Sequence, residues 1–91
     1  MKIDYTKRSL RHLQQIHDYI AQDDPEAGAR TVRRIREAVA RLETLPLSGR
    51  ASIDETRLLA VPGLPYVVIH VVKADVIRIL AVFHTAQNRR R

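Results

Sequence analysis

The sequence predicts an α+β fold of the order β-α-α-β-β-β, in which a helix hairpin packs on one face of a small antiparallel sheet. Two observations lead to this prediction. In the first half apolar residues recur every three or four positions, and in the second half short β-like runs alternate with turn residues. The chain has 91 residues, enough for one domain. We expect that domain to span residues 1–84 and a basic tail to span residues 85–91.

The first predicted elements are a short strand and a helix. Residues Lys2–Tyr5 alternate between polar and apolar side chains, as strands do. Thr6 can cap a helix that runs from Lys7 to about Gln22. The apolar positions of this helix, in steps of three and four, are Leu10, Leu13, Ile16, Tyr19 and Ile20.

The second predicted helix has clear start and stop signals. Asp24 suits the N-cap and Pro25 suits the first helical position, whereas Pro46 cannot continue a helix. We therefore expect a helix from Pro25 to about Leu45 that forms an antiparallel hairpin with the first, because the link between them is short. Its predicted buried residues are Val32, Ile35, Ala38, Val39 and Leu42.

The second half reads as a surface loop followed by three strands. The loop, Leu47–Glu55, has no clear period. The strands are predicted to be Arg57–Val61, Tyr66–Val72 and Val76–Phe83, paired as an antiparallel meander. The N-terminal strand should lie at an edge or beside the last strand.

Alternation along the strands assigns side chains to two faces. Val67, Ile69 and Val71 are all β-branched, so we expect them to face the helices. In the last strand Ile77, Ile79, Ala81 and Phe83 form the apolar set, and Leu80 and Val82 belong to the opposite set. That second face would combine aliphatic side chains with Tyr66, His70, Arg78 and His84. Such a mixed face suits partner recognition, although a solvated face with scattered polar residues is the alternative.

The charge balance predicts an acidic partner. The formal net charge is +6, from 16 Lys and Arg against 10 Asp and Glu, and most of the cations are Arg. Because Arg makes bidentate contacts with carboxylates and phosphates, the partner is expected to be a carboxylate-rich protein or a nucleic acid. The alternative is that the charge serves only solubility.

Several other classes of site or location are not expected. The chain has no Cys, so a disulfide framework and a thiolate zinc site are excluded. His12 and His17 are five positions apart on the first helix, where we expect surface or boundary residues and not metal ligands. No cofactor is expected. With no signal-peptide core and no apolar run of spanning length, we expect a cytoplasmic protein without membrane contact.

Two stretches of the second half carry a recognisable pattern. In residues 56–69 an arginine opens a strand and Pro62-Gly63-Leu64-Pro65-Tyr66 leads into the next; in residues 75–84 a strand ends in His84 before a basic tail. Both stretches resemble the RelE/ParE toxins of bacterial type II toxin–antitoxin systems. Tyr19-Ile20 ahead of Pro25-Glu26-Ala27 is similar to the family's helix hairpin. The resemblance covers nearly the whole chain and is closer to ParE.

This resemblance implies a toxin with one of two targets. ParE-like members poison DNA gyrase, whereas RelE-like members cut messenger RNA on the ribosome, and both are neutralised by an antitoxin with an acidic, partly disordered segment. We expect a ParD-like antitoxin, a hetero-oligomer with it, and gyrase as the target. A degenerate, non-toxic binding module is a further alternative.

The ribonuclease alternative needs a base, a cation and an acid around the scissile phosphate. The available candidates are His84, Arg57, Arg78 and Arg50. Two departures count against it: Tyr66 stands where RelE-type enzymes carry a basic residue, and residues 47–57 contain no Lys.

Poisoning a target by binding it needs no catalytic set of residues. A plain DNA-binding module is disfavoured because no helix-turn-helix pattern is visible. The predicted partner-binding residues are Arg30, Arg33, Arg34, Tyr66, His70, Arg78, His84, Arg89, Arg90 and Arg91.

Overall fold

The computed structural model describes residues 1–88, so Arg89, Arg90 and Arg91 lie outside the described residues. The elements are β1 (Lys2–Tyr5), α1 (Lys7–Ala21), α2 (Pro25–Ala40), β2 (Arg50–Ala51), β3 (Thr56–Ala60), β4 (Tyr66–Lys73), β5 (Val76–His84) and α3 (Thr85–Asn88). The predicted fold class and element order are confirmed. Two elements are additional: β2, inside the predicted loop, and α3, inside the predicted tail.

The helices begin where the sequence signals place them. The Thr6 hydroxyl accepts a hydrogen bond from the Ser9 N–H, and the Asp24 carboxylate accepts one from the Ala27 N–H. After Ala40 the chain continues through one 3₁₀ turn, Arg41–Glu43. The predicted α2 stripe is confirmed, since Ile35, Ala38, Val39 and Leu42 are buried and Val32 packs at its margin. Within residues 1–88, no helix has the length and apolar character needed to cross a bilayer.

The sheet has five strands in the order β1-β5-β4-β3-β2. Strands β3 to β5 form the predicted antiparallel meander, which the unpredicted β2 extends by one strand, and β1 lies beside the last strand, as expected. However, β1 runs parallel to β5, which makes the sheet mixed. The Thr6 N–H extends this parallel pairing by donating to the Ile79 carbonyl just before α1 begins.

The sequence-based assignment of the two faces is wrong for β4. Tyr66, Val68 and His70 are buried on the side covered by the helices, whereas Val67 and Ile69 are only partly buried on the other side. Both sets of β4 side chains are largely apolar, so composition could not decide between the two orientations. On β4 itself, Tyr66, Val68 and His70 were grouped correctly but belong to the inner face, whereas Arg78, which the prediction placed with them, lies on the outer face.

A β-bulge at Leu80 changes the alternation of β5. Ile69 pairs with Ala81 and His70 pairs with Ile79, which leaves Leu80 as the extra residue. As a result Ile79 before the bulge and Val82 after it both face the helices, and both are buried. The predicted apolar set at positions 77, 79, 81 and 83 is therefore interrupted after position 79.

Helix α1 takes the place of a strand beside the second half of β5. The pairing between β1 and β5 ends at Tyr5 and Ile79, so the following backbone groups of β5 need other partners. The Thr6 hydroxyl donates to the Ile79 carbonyl at 3.0 Å, and the Val82 N–H donates to Nδ1 of His12 at 3.1 Å. These two contacts fix α1 against the bulged strand.

The two long helices are in close contact at Gly28. A Cβ atom at this position would lie 2.9 Å from the carbonyl oxygen of His17 and 3.2 Å from the Cβ of Ala21, both on α1. Since the nearer atom is backbone, it cannot move aside without shifting α1. A residue without a side chain is therefore required here.

We predict that Gly28→Ala destabilises the protein although Ala favours helices. Overpacking costs about 1–3 kcal/mol and the gain in helix propensity is at most about 1 kcal/mol, so a net loss of about 1 kcal/mol is expected. Urea denaturation followed by circular dichroism measures it, with Arg30→Ala on the exposed side of α2 as the control. An increase in the free energy of unfolding for Gly28→Ala would contradict the close approach.

Candidate functional site

Two concave surfaces flank α1 on opposite sides. The helix groove, between α1 and α2, has a volume of about 690 Å³, and Leu10, Leu13, Val32, Arg33 and Arg36 are among its lining residues. The tyrosine–histidine pocket, between α1 and the sheet, has a volume of about 490 Å³, and its side chains include His12, Tyr19, Tyr66 and His84. The sequence predicted α1 as a helix with one apolar stripe, but the helix uses three sides: one for the core and one for each cavity.

The helix groove combines an apolar floor with charged side chains, among which Arg33 and Arg36 outnumber Glu37. Leu10 remains 43% exposed although it is apolar. Arg33 makes no hydrogen bond or ion pair within residues 1–88 and lies exposed at the rim. Arg36 also lines the groove, and its guanidinium lies 4.8 Å from the centre of the Tyr5 ring. The groove can therefore accept an amphipathic segment with apolar and acidic side chains.

The three predicted arginines of α2 differ in their surroundings. Arg34 donates from Nη2 to the Pro62 carbonyl at 2.9 Å, so it supports the turn between β3 and β4. Arg30 and Arg33 are exposed and make no such contact among the described residues. These two remain the better candidates for partner binding.

The tyrosine–histidine pocket brings together two of the residues predicted from the sequence. The Tyr66 and His84 rings meet edge to face, with centroids 5.4 Å apart. Sequence reasoning missed His12 and Tyr19, which α1 adds to the pocket. Their spacing of seven residues, which places them on one side of a helix, was the available signal.

Backbone hydrogen bonds determine the tautomers of both pocket histidines. Nδ1 of His12 accepts from the Val82 N–H, and Nδ1 of His84 accepts from the Ala86 N–H at 3.0 Å. In the neutral form each ring therefore carries its proton on Nε2. An Nε2–H group donates a hydrogen bond but cannot take a proton, so neither ring is arranged as a general base.

The pKa values of two pocket residues are shifted. Burial lowers the pKa of His12 below its ordinary value, and the positive charges of Arg8 and Arg11 lower it further. Burial also raises the pKa of Tyr66, with a smaller contribution from the neighbouring Tyr19. Both shifts favour the neutral forms, so these two groups act as uncharged hydrogen-bonding groups near neutral pH.

His70 has no exposed surface and cannot meet a partner directly. Its Nε2 lies 3.1 Å from the Pro46 carbonyl, to which it donates, and its Nδ1 has no partner among the described residues. Burial lowers the pKa of His70, the charge of Arg57 adds to this, and the Pro46 bond opposes it. Arg57 in turn donates from Nη2 to the Gly49 carbonyl at 3.2 Å. Both side chains hold the segment after α2 against the sheet.

The four residues proposed for the ribonuclease alternative are not brought together. His84 lies in the pocket and pairs with Tyr66 at the start of β4. Arg57 pairs with His70, which lies four residues and about 13 Å beyond Tyr66 along the same strand. Arg78 is exposed on the opposite face, where its Nε lies 3.2 Å from the Asp4 carboxylate. Arg50 is exposed on the edge strand β2. Within residues 1–88, no group of three or more His or acidic residues could hold a metal ion.

Comparison with protein families identifies the group to which this arrangement belongs. Residues 3–89 match the family described as the ParE toxin of the type II toxin–antitoxin system parDE. The chain belongs to the ParE toxin family. The resemblance noted in the sequence is thus confirmed.

Individual relatives of this ParE-family protein agree with that assignment. It is 44% identical over 88 residues to the candidate toxin Y4kP of Sinorhizobium fredii, covering 96% of this chain and 91% of the relative. It is 33% identical over 87 residues to toxin RelE2 of Caulobacter vibrioides, covering 94% and 97%. A solved structure of a chromosomal ParDE system from P. aeruginosa is similar with a TM-score of 0.81 and 25% identity, covering 92% of this chain and 95% of that one.

We predict that acid weakens the fold partly through His12. Its folded-state pKa is lowered, so its stabilising contribution is complete above the ordinary value of about 6.5 and is lost as the pH falls through the folded-state pKa. His12→Gln, whose amide oxygen can accept from the Val82 N–H without titrating, should show a smaller loss of unfolding free energy between pH 7 and pH 5. Urea titrations across that range measure it. Equal slopes for both proteins would show that His12 is not linked to folding.

Proposed function

We propose that this ParE-family chain is a cytoplasmic toxin that binds and poisons DNA gyrase, and that a ParD-like antitoxin neutralises it in a hetero-oligomeric complex. The family match over residues 3–89 supports the toxin assignment. Similarity to a structure described as a ParDE system supports the kind of antitoxin.

The main support for gyrase binding over RNA cleavage is that the candidate catalytic groups do not lie together. His84 has its Nδ1 occupied by the Ala86 N–H, Arg57 is tied to the Gly49 carbonyl, and Arg78 is paired with Asp4. Cleavage would need a base and a cation at one phosphate, within hydrogen-bonding reach of it. A poison needs only a surface that holds its target.

The helix groove is the proposed antitoxin site. Its floor, with the exposed Leu10 and the partly buried Val32, would receive apolar anchors from an amphipathic helix. Arg33 on the rim and the neighbouring Arg30 would meet carboxylates of the antitoxin. The net charge of +6 would speed the encounter with an acidic partner.

We predict that expression without antitoxin arrests growth through gyrase-dependent DNA breakage and leaves messenger RNA uncut. Breakage is measured by cleavage of supercoiled DNA with purified gyrase, and RNA integrity by mapping of transcript ends. Codon-specific cleavage that disappears in His84→Ala would replace the gyrase proposal with the ribonuclease alternative. Normal growth without either effect would indicate a degenerate binding module.

We predict that Arg33→Glu weakens antitoxin binding by about tenfold, since losing and reversing a rim charge costs about 1.4 kcal/mol. Titration calorimetry with the antitoxin encoded beside the toxin measures the change. Arg50→Glu, the same charge change on β2 far from the groove, is the matched control. Equal loss in both variants would show that net charge alone, and not the groove, governs binding.

A further inference from the structure

One side of α1 carries a row of polar and aromatic side chains that the core does not use. Arg8, His12, Gln15 and Tyr19 follow one another at spacings of four, three and four residues, as neighbours on a single helix face do. The row is about 16 Å long at a rise of about 1.5 Å per residue, and Arg11 flanks it. Its C-terminal part opens into the tyrosine–histidine pocket.

The aromatic rings of the pocket provide a place for a flat ligand. Tyr19 is 75% exposed at the rim, although burying such a ring would be favourable. Tyr66 and His84 stand across from it, and Ile16 and Val82 supply apolar surface. A pocket of this volume, about 490 Å³, can receive one planar heterocycle against the Tyr19 ring.

The charges around the row favour an anion. None of the residues that line the pocket is acidic among those the structure describes. Arg8 and Arg11 are exposed and close enough to His12 to lower its pKa by their charge. The nearby Asp18 accepts hydrogen bonds from Gln14 and His17, both of which line the helix groove.

We propose that this surface binds single-stranded nucleic acid. One unpaired base would stack on Tyr19 inside the pocket, and the Arg8 and Arg11 guanidinium groups would hold backbone phosphates of the same strand. A base can enter only when it is unpaired, so duplexes should bind less tightly. The proposal goes beyond gyrase poisoning and antitoxin binding. It can be tested on the full chain without gyrase.

The test is fluorescence anisotropy with labelled twelve-nucleotide oligo(dT) and oligo(U), and with a duplex of the same length, at several salt concentrations. Tyr19→Ala should weaken single-strand binding by about tenfold, whereas Tyr19→Phe, which keeps the ring, should retain it. The double change of Arg8 and Arg11 to Ala should weaken binding and lower the salt slope by about 1.4, since each phosphate contact on a single strand contributes about 0.7. The double change of Arg30 and Arg33 to Ala removes the same charge from α2 and should have little effect.

Three outcomes would overturn the proposal. These are equal binding of duplex and single strand, unchanged binding by Tyr19→Ala, and equal losses from the two double variants, which would indicate charge attraction without a site. Circular dichroism of each variant shows whether a loss reflects unfolding.

Similar affinity for DNA and RNA is expected because the contacts involve base faces and phosphates. A tenfold preference for either would uphold the site and identify its natural ligand. Loss of gyrase poisoning with intact oligonucleotide binding, or the reverse, separates this proposal from the proposed function.

Discussion

The bulge at Leu80 is the constraint on which the arrangement of the surfaces depends. Without it, Val82 and His84 would point to the face of the sheet opposite to Ile79, and the pocket beside α1 would lose one wall. Strand β1 stops pairing with β5 at Ile79, just before the bulge, and Thr6 and α1 supply partners for the backbone groups there. The Thr6 hydroxyl and the His12 ring bind β5 on either side of the extra residue. The start of α1, the core and the pocket therefore all depend on the bulged segment of β5.

Helix α1 contributes to the core and also lines two cavities, which limits how much apolar surface it buries. Leu13 lies in the core, but Leu10 and Tyr19 stay largely exposed on opposite sides of the helix. In a chain of 91 residues these exposed side chains leave a small core and a modest margin of stability. Bound partners that cover them would stabilise the folded state through mass action. Exposed apolar residues on α1 are thus better explained by binding than by folding.

Local signals in the sequence were sufficient for the two long helices and for the meander of β3, β4 and β5. Thr6, Asp24 and Pro25 mark helix starts through side-chain and backbone chemistry that needs no tertiary contact. The bulge could not be predicted, because residues 76–83 carry apolar side chains in both alternations and no Gly or Pro marks the irregular position. Without the bulge, the second half of β5 could not be assigned to the correct face, and on β4 the two largely apolar sets left the choice of face open. For the site, Tyr66 and His84 were grouped correctly, but His12 resembled any surface histidine until its contact with β5 was known.

The two cavities share α1 but face away from each other, which bears on how their ligands influence one another. A segment in the helix groove contacts Leu10 and the rim of α2, whereas a ligand in the pocket contacts Tyr19 and the sheet. Coupling between them would require α1 to adopt a second position relative to β5. The contacts of Thr6 with Ile79 and of His12 with Val82 oppose such a shift. Breaking these contacts would remove hydrogen-bond partners from buried backbone groups of β5. The geometry therefore favours independent occupation, so an antitoxin confined to the groove would leave the pocket accessible, and an antitoxin that closes both must pass around an end of α1.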